Sequence, residues 1–389
     1  MGVFNVTGAV KYVGVDDKDL DLFESQYDVP NGMAYNSYVI IDEKVAVMDS
    51  VDASKTDEWL KNLDEALEGK KPDYLVIDHV EPDHSGSIMA FVNKYPEAEL
   101  IGNAKTFQML EQFFEGVSFD GKKVTVKEGD EITLGSHTLT FIMAAMVHWP
   151  EVMVTYEKSE GILFSADAFG KFGTLDTDED WACEARRYYF NIVGKYGMQV
   201  QALLKKAAAL DIKMILALHG PLLTENLDYY IGLYDTWSSY KPEGRGVTVA
   251  YASIHGNTRK AALELAEMLK AKGEEKVSLF DLSRDVIAEA VEDSFRYDRL
   301  VLMASSYDAG VFPPMEYLLL KLKAKTYRNR TVAIVENGSW APSAGRVIKS
   351  YVDTFKDINL IEPVITIRSS LNNDTRAQLE ELADKLVKA

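Results

Sequence analysis

The sequence predicts an α/β protein of two domains, and three observations carry that prediction. In the first half, short apolar runs recur, and several end on a residue able to bind a metal. Residues 240–246, Tyr-Lys-Pro-Glu-Gly-Arg-Gly, have the Pro and Gly content of a linker. Beyond them the rhythm changes to clean alternation of strand and helix, with five strands, the pattern of a doubly wound parallel sheet. The domains are therefore read as 1–243 and 244–389, and 389 residues suffice for each to hold its own core.

Taken in order, 37–41 and 45–48 are apolar runs that read as strands, and 57–67 has helical spacing of Trp59, Leu60, Leu63 and Leu67. Residues 74–77, Tyr-Leu-Val-Ile, are rich in β-formers and read as a buried strand. Directly after it come His79, Glu81, Asp83 and His84, before Ser85 and Gly86 hand the chain to a helix over 88–94. His79, Glu81 and Asp83 alternate, so an extended loop would point them to one side. A strand over 99–102 and a helix over 105–114 follow, and 125–127 with 131–134 flank Gly129-Asp130 as a hairpin. The run 138–147 delivers His148, followed by Trp149 and Pro150. Strands over 152–156 and 162–165 pair about a turn at 159–161, and the second delivers Asp167. A helical stretch over 185–210, broken near Gly194 and Gly197, precedes a last strand, 214–218, that ends at His219.

Strand ends along one sheet edge converge, so His79, His148, Asp167 and His219 are expected at one site. A lone histidine after a strand is more often structural, but four ligand types repeating that position argue against coincidence. The chain has only six histidines, and two of them stand in the loop after residue 77. Imidazole and carboxylate without thiolate suit iron, manganese or zinc.

In the second half, strands are read over 247–251, 276–280, 300–304, 331–335 and 364–367, and helices over 258–271, 314–323, 344–355 and 375–389. The first strand leads into Ser253, Ile254, His255, Gly256, Asn257 and Thr258, at the start of a helix, where backbone N–H groups and the helix dipole favour an anion. Neither Gly-x-x-x-x-Gly-Lys-Ser/Thr nor Gly-x-Gly-x-x-Gly occurs there, which counts against a nucleoside triphosphate and a dinucleotide. A phosphate held by hydroxyls and amides suits flavin mononucleotide (FMN). Two later strand-end loops fit its ring system: Ser305, Ser306, Tyr307, Asp308, Ala309 and Gly310, then Asn337, Gly338, Ser339, Trp340 and Ala341. Tyr307 and Trp340 are the candidates for stacking on the isoalloxazine.

The formal net charge of −19 disfavours binding to a phosphate backbone, so no nucleic-acid partner is expected. Cys183 is the only cysteine, which excludes an intrachain disulfide and thiolate-held clusters within one chain. Residues 1–11 lack a signal-peptide pattern and the apolar run 141–147 is too short to span a bilayer, so a cytoplasmic protein without membrane attachment is expected.

His-x-Glu-x-Asp-His, then single His, Asp and His after later strands, fused to a flavodoxin-like half, resembles the flavodiiron (A-type flavoprotein) family over essentially the whole chain. The resemblance implies a metallo-β-lactamase-like αββα sandwich followed by a flavodoxin-like five-stranded sheet. Hydrolytic relatives carry His-x-His-x-Asp-His and bind zinc; Glu81 in place of the second His is similar to the iron-binding branch. Carried over, His79, Glu81 and His148 would bind one iron, Asp83, His84 and His219 the other, and Asp167 would bridge a μ-oxo or hydroxo diiron pair. The implied activity is reduction of dioxygen to water, of nitric oxide to nitrous oxide, or both, for detoxification, with electrons passing through FMN. With no rubredoxin-like Cys pairs and no flavin-reductase domain after the second half, the chain resembles the minimal form served by a separate donor such as rubredoxin. The resemblance also implies a head-to-tail homodimer, alone or doubled.

Two other readings compete. A binuclear zinc hydrolase with an accessory flavodoxin domain would use a bound hydroxide, but Glu81 and the redox half argue against it. A pure electron carrier would leave seven ligand-type residues without a purpose. His137 reads as a solvated turn residue and Cys183 as structural. His255 is open between a phosphate contact and plain exposure, and Trp149 between walling a gas pocket and simple packing.

Overall fold

The computed structural model describes residues 2–389. The chain forms two compact units: the first runs to Tyr189 and resumes over Met198–Asp235, and the second takes Phe190–Gly197 and Thr236–Ala389.

The first unit is a sandwich of two sheets. One has seven strands in the order Phe4–Asn5, Val10–Tyr12, Tyr38–Ile41, Val45–Met48, Tyr74–Val76, Glu99–Gly102 and Lys123–Thr125. The other has five, in the order Glu131–Thr133, Thr138–Met143, Met153–Glu157, Ile162–Phe164 and Met214–Leu216. Strand alternation sends Tyr38, Ile40, Ala46, Met48 and Val76 from the first sheet into a shared core with Leu139, Phe141, Ile162 and Leu216 from the second. Helix Thr56–Leu67 buries Trp59, Leu63 and Leu67, and its Trp59 indole donates to Ser37 Oγ at 3.0 Å. This is the metallo-β-lactamase-like αββα arrangement.

The expected hairpin about Gly129-Asp130 is not formed. Lys123–Thr125 runs parallel to Glu99–Gly102 in one sheet, whereas Glu131–Thr133 pairs antiparallel with Thr138–Met143 in the other. The turn carries the chain from sheet to sheet because Val126 and Leu134 on either side both enter the shared core. A turn between two short β-runs reads alike in both cases.

The second unit holds five parallel strands: Gly244–Ala252, Val277–Asp281, Tyr297–Tyr307, Arg328–Asn337 and Lys356–Ile367. Their spatial order is second, first, third, fourth, fifth, the flavodoxin-like arrangement. The order reverses beside the first strand, so the loops after the first and third strands open at a ligand crevice. Gly244 already begins the first strand, so the Pro- and Gly-containing stretch is partly sheet. The segment Phe190–Gly197 joins this unit through Phe190, which stacks on Phe295 with ring centres 4.3 Å apart. Asn191 also donates to the Ala288 carbonyl at 3.0 Å. Among the described residues no helix is long and apolar enough to cross a membrane.

Candidate functional site

The strand Tyr74–Val76 lies between two parallel neighbours, and its exit is pinned by a buried aspartate. Asp49 Oδ1 accepts the backbone N–H of Asp78 at 2.8 Å and of His79 at 3.2 Å. Burial pushes the Asp49 carboxyl up to about 6. The loop is not extended throughout, as alternation had predicted. Pro82, at the first position of the turn Pro82–Ser85, has φ suited to a helix start. That turn separates Asp83 and His84 from His79 and Glu81.

Two clusters result: His79, Glu81, His148 and Asp167, and beside them Asp83, His84 and His219. In the first, Glu81 Oε2 lies 3.3 Å from His79 Nε2 and 3.1 Å from His148 Nε2. In the second, Asp83 Oδ2 lies 3.2 Å from His84 Nε2 and 3.3 Å from His219 Nε2. Asp167 faces both clusters, with Oδ2 3.1 Å from His148 Nε2 and Oδ1 3.3 Å from His84 Nε2. His148 stands further from its strand than expected, because the strand ends at Met143 and a turn intervenes. Met146, Ala166 and Phe169, each within two residues of His148 or Asp167, hold positive φ. Such backbone strain, of order 1–3 kcal/mol per residue, gathers at functional sites.

The ring orientations have identifiable causes. His79 Nδ1 lies 2.7 Å from Glu151 Oε1, and His219 Nδ1 donates to the Ala34 carbonyl at 2.8 Å. His219 Nε2 therefore presents a lone pair, only 3.0 Å from His84 Nε2. Trp149 sets its edge against His79 and stacks on Phe113. Phe23, Tyr35 and Tyr188 pack around the His219 ring. The Tyr188 hydroxyl is buried and faces the Asp167 carboxylate.

The electrostatics are those of a site that wants cations. Burial alone would lower the His79 pKa, but the Asp167, Glu151 and Glu81 carboxylates hold it well above its ordinary value. For His148, burial is likewise outweighed by hydrogen bonds to Asp167 and Glu81, which bring it to about 9. Burial raises Asp167, yet the surrounding imidazoles hold it well below the usual carboxylate range. Asp83 Oδ1 is buried without a partner, and Asp83 Oδ2 and Asp167 Oδ1 meet only imidazole nitrogens, a state that costs stability unless a ligand meets them. Four imidazoles and three carboxylates in two adjoining clusters fit two divalent metal ions.

In the second unit a cavity of about 530 Å³ is lined by the three loops singled out above. Ile254, His255, Asn257 and Thr258 border it, as do Ser305, Ser306, Tyr307, Asp308 and Ala309, and Asn337, Gly338, Ser339, Trp340 and Ala341. Three expected residues do not line it. Ser253 Oγ accepts the Gly256 N–H at 3.1 Å and so closes the loop, Gly256 supplies the left-handed turn with φ +87° before helix Asn257–Ala271, and Gly310 accepts from Ser343 Oγ at 2.7 Å. Ser343 and Ser369, which sequence reasoning missed, do line the cavity. Ser343 lies just after the loop 337–341, whereas Ser369 follows the fifth strand, Lys356–Ile367, whose end was not singled out. Trp340 is 90 % exposed and Tyr307 46 %.

Three other expectations are refined. His137 is buried and its Nδ1 lies 2.7 Å from Asp42 Oδ2, so it is a paired structural residue. His255 is exposed at the cavity, and the thiol of Cys183 is exposed. Glu151 and Asp49 were not anticipated.

A family model described as ODP family beta lactamase matches residues 33–220. An uncharacterized protein of Methanocaldococcus jannaschii is 33 % identical over 70 % of this chain and 70 % of its own length. The nitric oxide reductase of Moorella thermoacetica is 28 % identical over 98 % of this chain and 97 % of its own. Among solved structures, a variant of the flavo di-iron protein of Thermotoga maritima aligns with a TM-score of 0.88 at 25 % identity, covering 97 % of this chain and 95 % of that one. Fold and site define an oxidoreductase in which a metallo-β-lactamase-like unit precedes a flavodoxin-like one. The chain belongs to the flavodiiron protein family, whose cofactors are a flavin and iron.

Proposed function

We propose that the chain reduces dioxygen to water, nitric oxide to nitrous oxide, or both, as a detoxifying enzyme of the cytoplasm. Electrons come from an external donor, rubredoxin or a similar small protein, and pass through FMN to an oxo- or hydroxo-bridged pair of iron ions. The observation that carries this reading is the Asp167 carboxylate, one oxygen facing each cluster. His79, Glu81 and His148 would hold one iron, Asp83, His84 and His219 the other, with Asp167 between them. When bound, the iron pair supplies electrons to a diatomic gas. The chain's own residues orient the donors through Glu151 and Ala34, and the aromatic packing of Phe23, Tyr35 and Tyr188 on His219 limits water.

Domain roles follow: residues 1–243 carry the iron, and 244–389 carry FMN in the cavity between Thr258, Ser305 and Trp340. The name of the Moorella relative, which matches over nearly its full length, supports nitric oxide; dioxygen is the alternative the family resemblance brings. Because each site is built within a separate unit, a head-to-tail homodimer, single or doubled, would let the flavin of one chain serve the iron of its partner. Glu81 and the flavodoxin-like unit count against the zinc hydrolase.

Anaerobic stopped-flow on iron-quantified, FMN-loaded, chemically reduced protein tests the proposal. Rapid flavin reoxidation by one or both gases is expected, and His79→Ala or Asp167→Ala should abolish it. Slow reoxidation indifferent to both substitutions would mean that the flavin reacts alone.

A further inference from the structure

The two clusters have matching donors, a pair of imidazoles and a carboxylate each, with Asp167 shared, yet they differ behind those donors. His79 Nδ1 meets a carboxylate, Glu151 Oε1, at 2.7 Å, and both side chains are wholly buried. His219 Nδ1 meets a neutral carbonyl, Ala34 O, at 2.8 Å. His84 Nδ1 is buried with no hydrogen-bond partner. Glu151 is itself fixed, since the same Oε1 accepts the Val80 backbone N–H at 3.0 Å. Its other oxygen is buried without a hydrogen bond.

We propose that Glu151 makes the two metal positions unequal, so that the position built by His79, Glu81 and His148 binds a divalent ion more tightly than the one built by Asp83, His84 and His219. This inference rests on the two-metal reading above and adds an order of occupancy to it. A carboxylate that holds the Nδ1 proton of an imidazole fixes the tautomer and makes Nε2 a stronger donor, more so in a buried setting of low dielectric. A carbonyl fixes the tautomer with less transfer of charge, and an unbonded Nδ1 does neither. Glu151 acts through His79, so it is a positioning residue.

Titration of the metal-free, full-length chain with Co²⁺, followed by visible absorption, tests this. The unaltered chain should take up two equivalents of separable affinity. Glu151→Gln should weaken the tighter one by about 10–100-fold and leave the other unchanged. Glu151→Asp, which keeps the charge, should recover part of the loss, and His219→Ala should remove the weaker equivalent. Unchanged affinities in Glu151→Gln, or equal weakening of both equivalents, would overturn the inference. Uptake of fewer than two equivalents by the unaltered chain would overturn the two-metal reading and this inference with it. A measurement on the unaltered protein guards against a variant that does not fold. In the zinc-loaded chain the His79 Nδ1 proton should resonate further downfield than that of His219, and coincident shifts would count against Glu151.

Discussion

His148 illustrates how a single side chain couples metal, proton and stability. Without metal its ring sits between Asp167 and Glu81, and although burial pulls the other way, its pKa rises to about 9. An unfolded-state histidine titrates near about 6.5. Its protonated ring therefore contributes stability that is full below about pH 6.5 and is lost as pH rises through about 9, on the order of 3 kcal/mol by linkage. Urea unfolding of the metal-free chain at pH 6 and 9.5 should register this loss, and His148→Gln should flatten it. An identical pH dependence in the variant would sink the assignment. A metal ion bound at His148 would take the place of the proton, so the loaded protein should be spared. At this scale the seven residues that the structure gathers into two clusters were legible as candidates because metal chemistry draws on few residue types and histidine is scarce here. Glu151 was not: one acid among 61 Asp and Glu residues carries no mark of its burial.

At the scale of elements, strand ends and loop beginnings place the chemistry. Gly256 shows how backbone conformation helps to fix a loop: its φ is +87°, and a Cβ built there would meet nothing within 4 Å. Substitution therefore costs conformational energy, about 1–2 kcal/mol for an alanine, without a clash. Gly256→Ala should lower FMN affinity several-fold, measured by fluorescence titration of the flavin-free chain, with Gly256→Asn milder because Asn tolerates this region. Equal affinity in all three proteins would remove the loop from the phosphate site. The strands of the second unit were legible from their apolar rhythm. Helix Ile287–Arg296 was not read, because its buried residues include Glu292, Asp293 and Ser294, letters that normally mark a solvent face. Strands such as Phe4–Asn5 and Leu22–Phe23 are too short to display a period.

At the scale of the whole molecule, the proposed head-to-tail dimer makes activity depend on concentration. Turnover per chain, measured with an artificial donor, should fall as dilution drives the protein to monomers, in step with the monomer fraction from sedimentation. Full turnover by isolated monomers would exclude the arrangement. The sequence changes rhythm near residue 240, and the second compact unit resumes at Thr236. What no rhythm disclosed was that Phe190–Gly197 leaves its neighbours in sequence to join the later unit. Phe190 spends its ring on Phe295 and Asn191 its amide on Ala288, long-range pairings that leave no periodic trace. The flavodoxin-like half is consequently not a cassette that one cut can free. A gene fragment beginning at residue 244 would encode every strand of the sheet yet omit Phe190–Gly197, a strip of its packing.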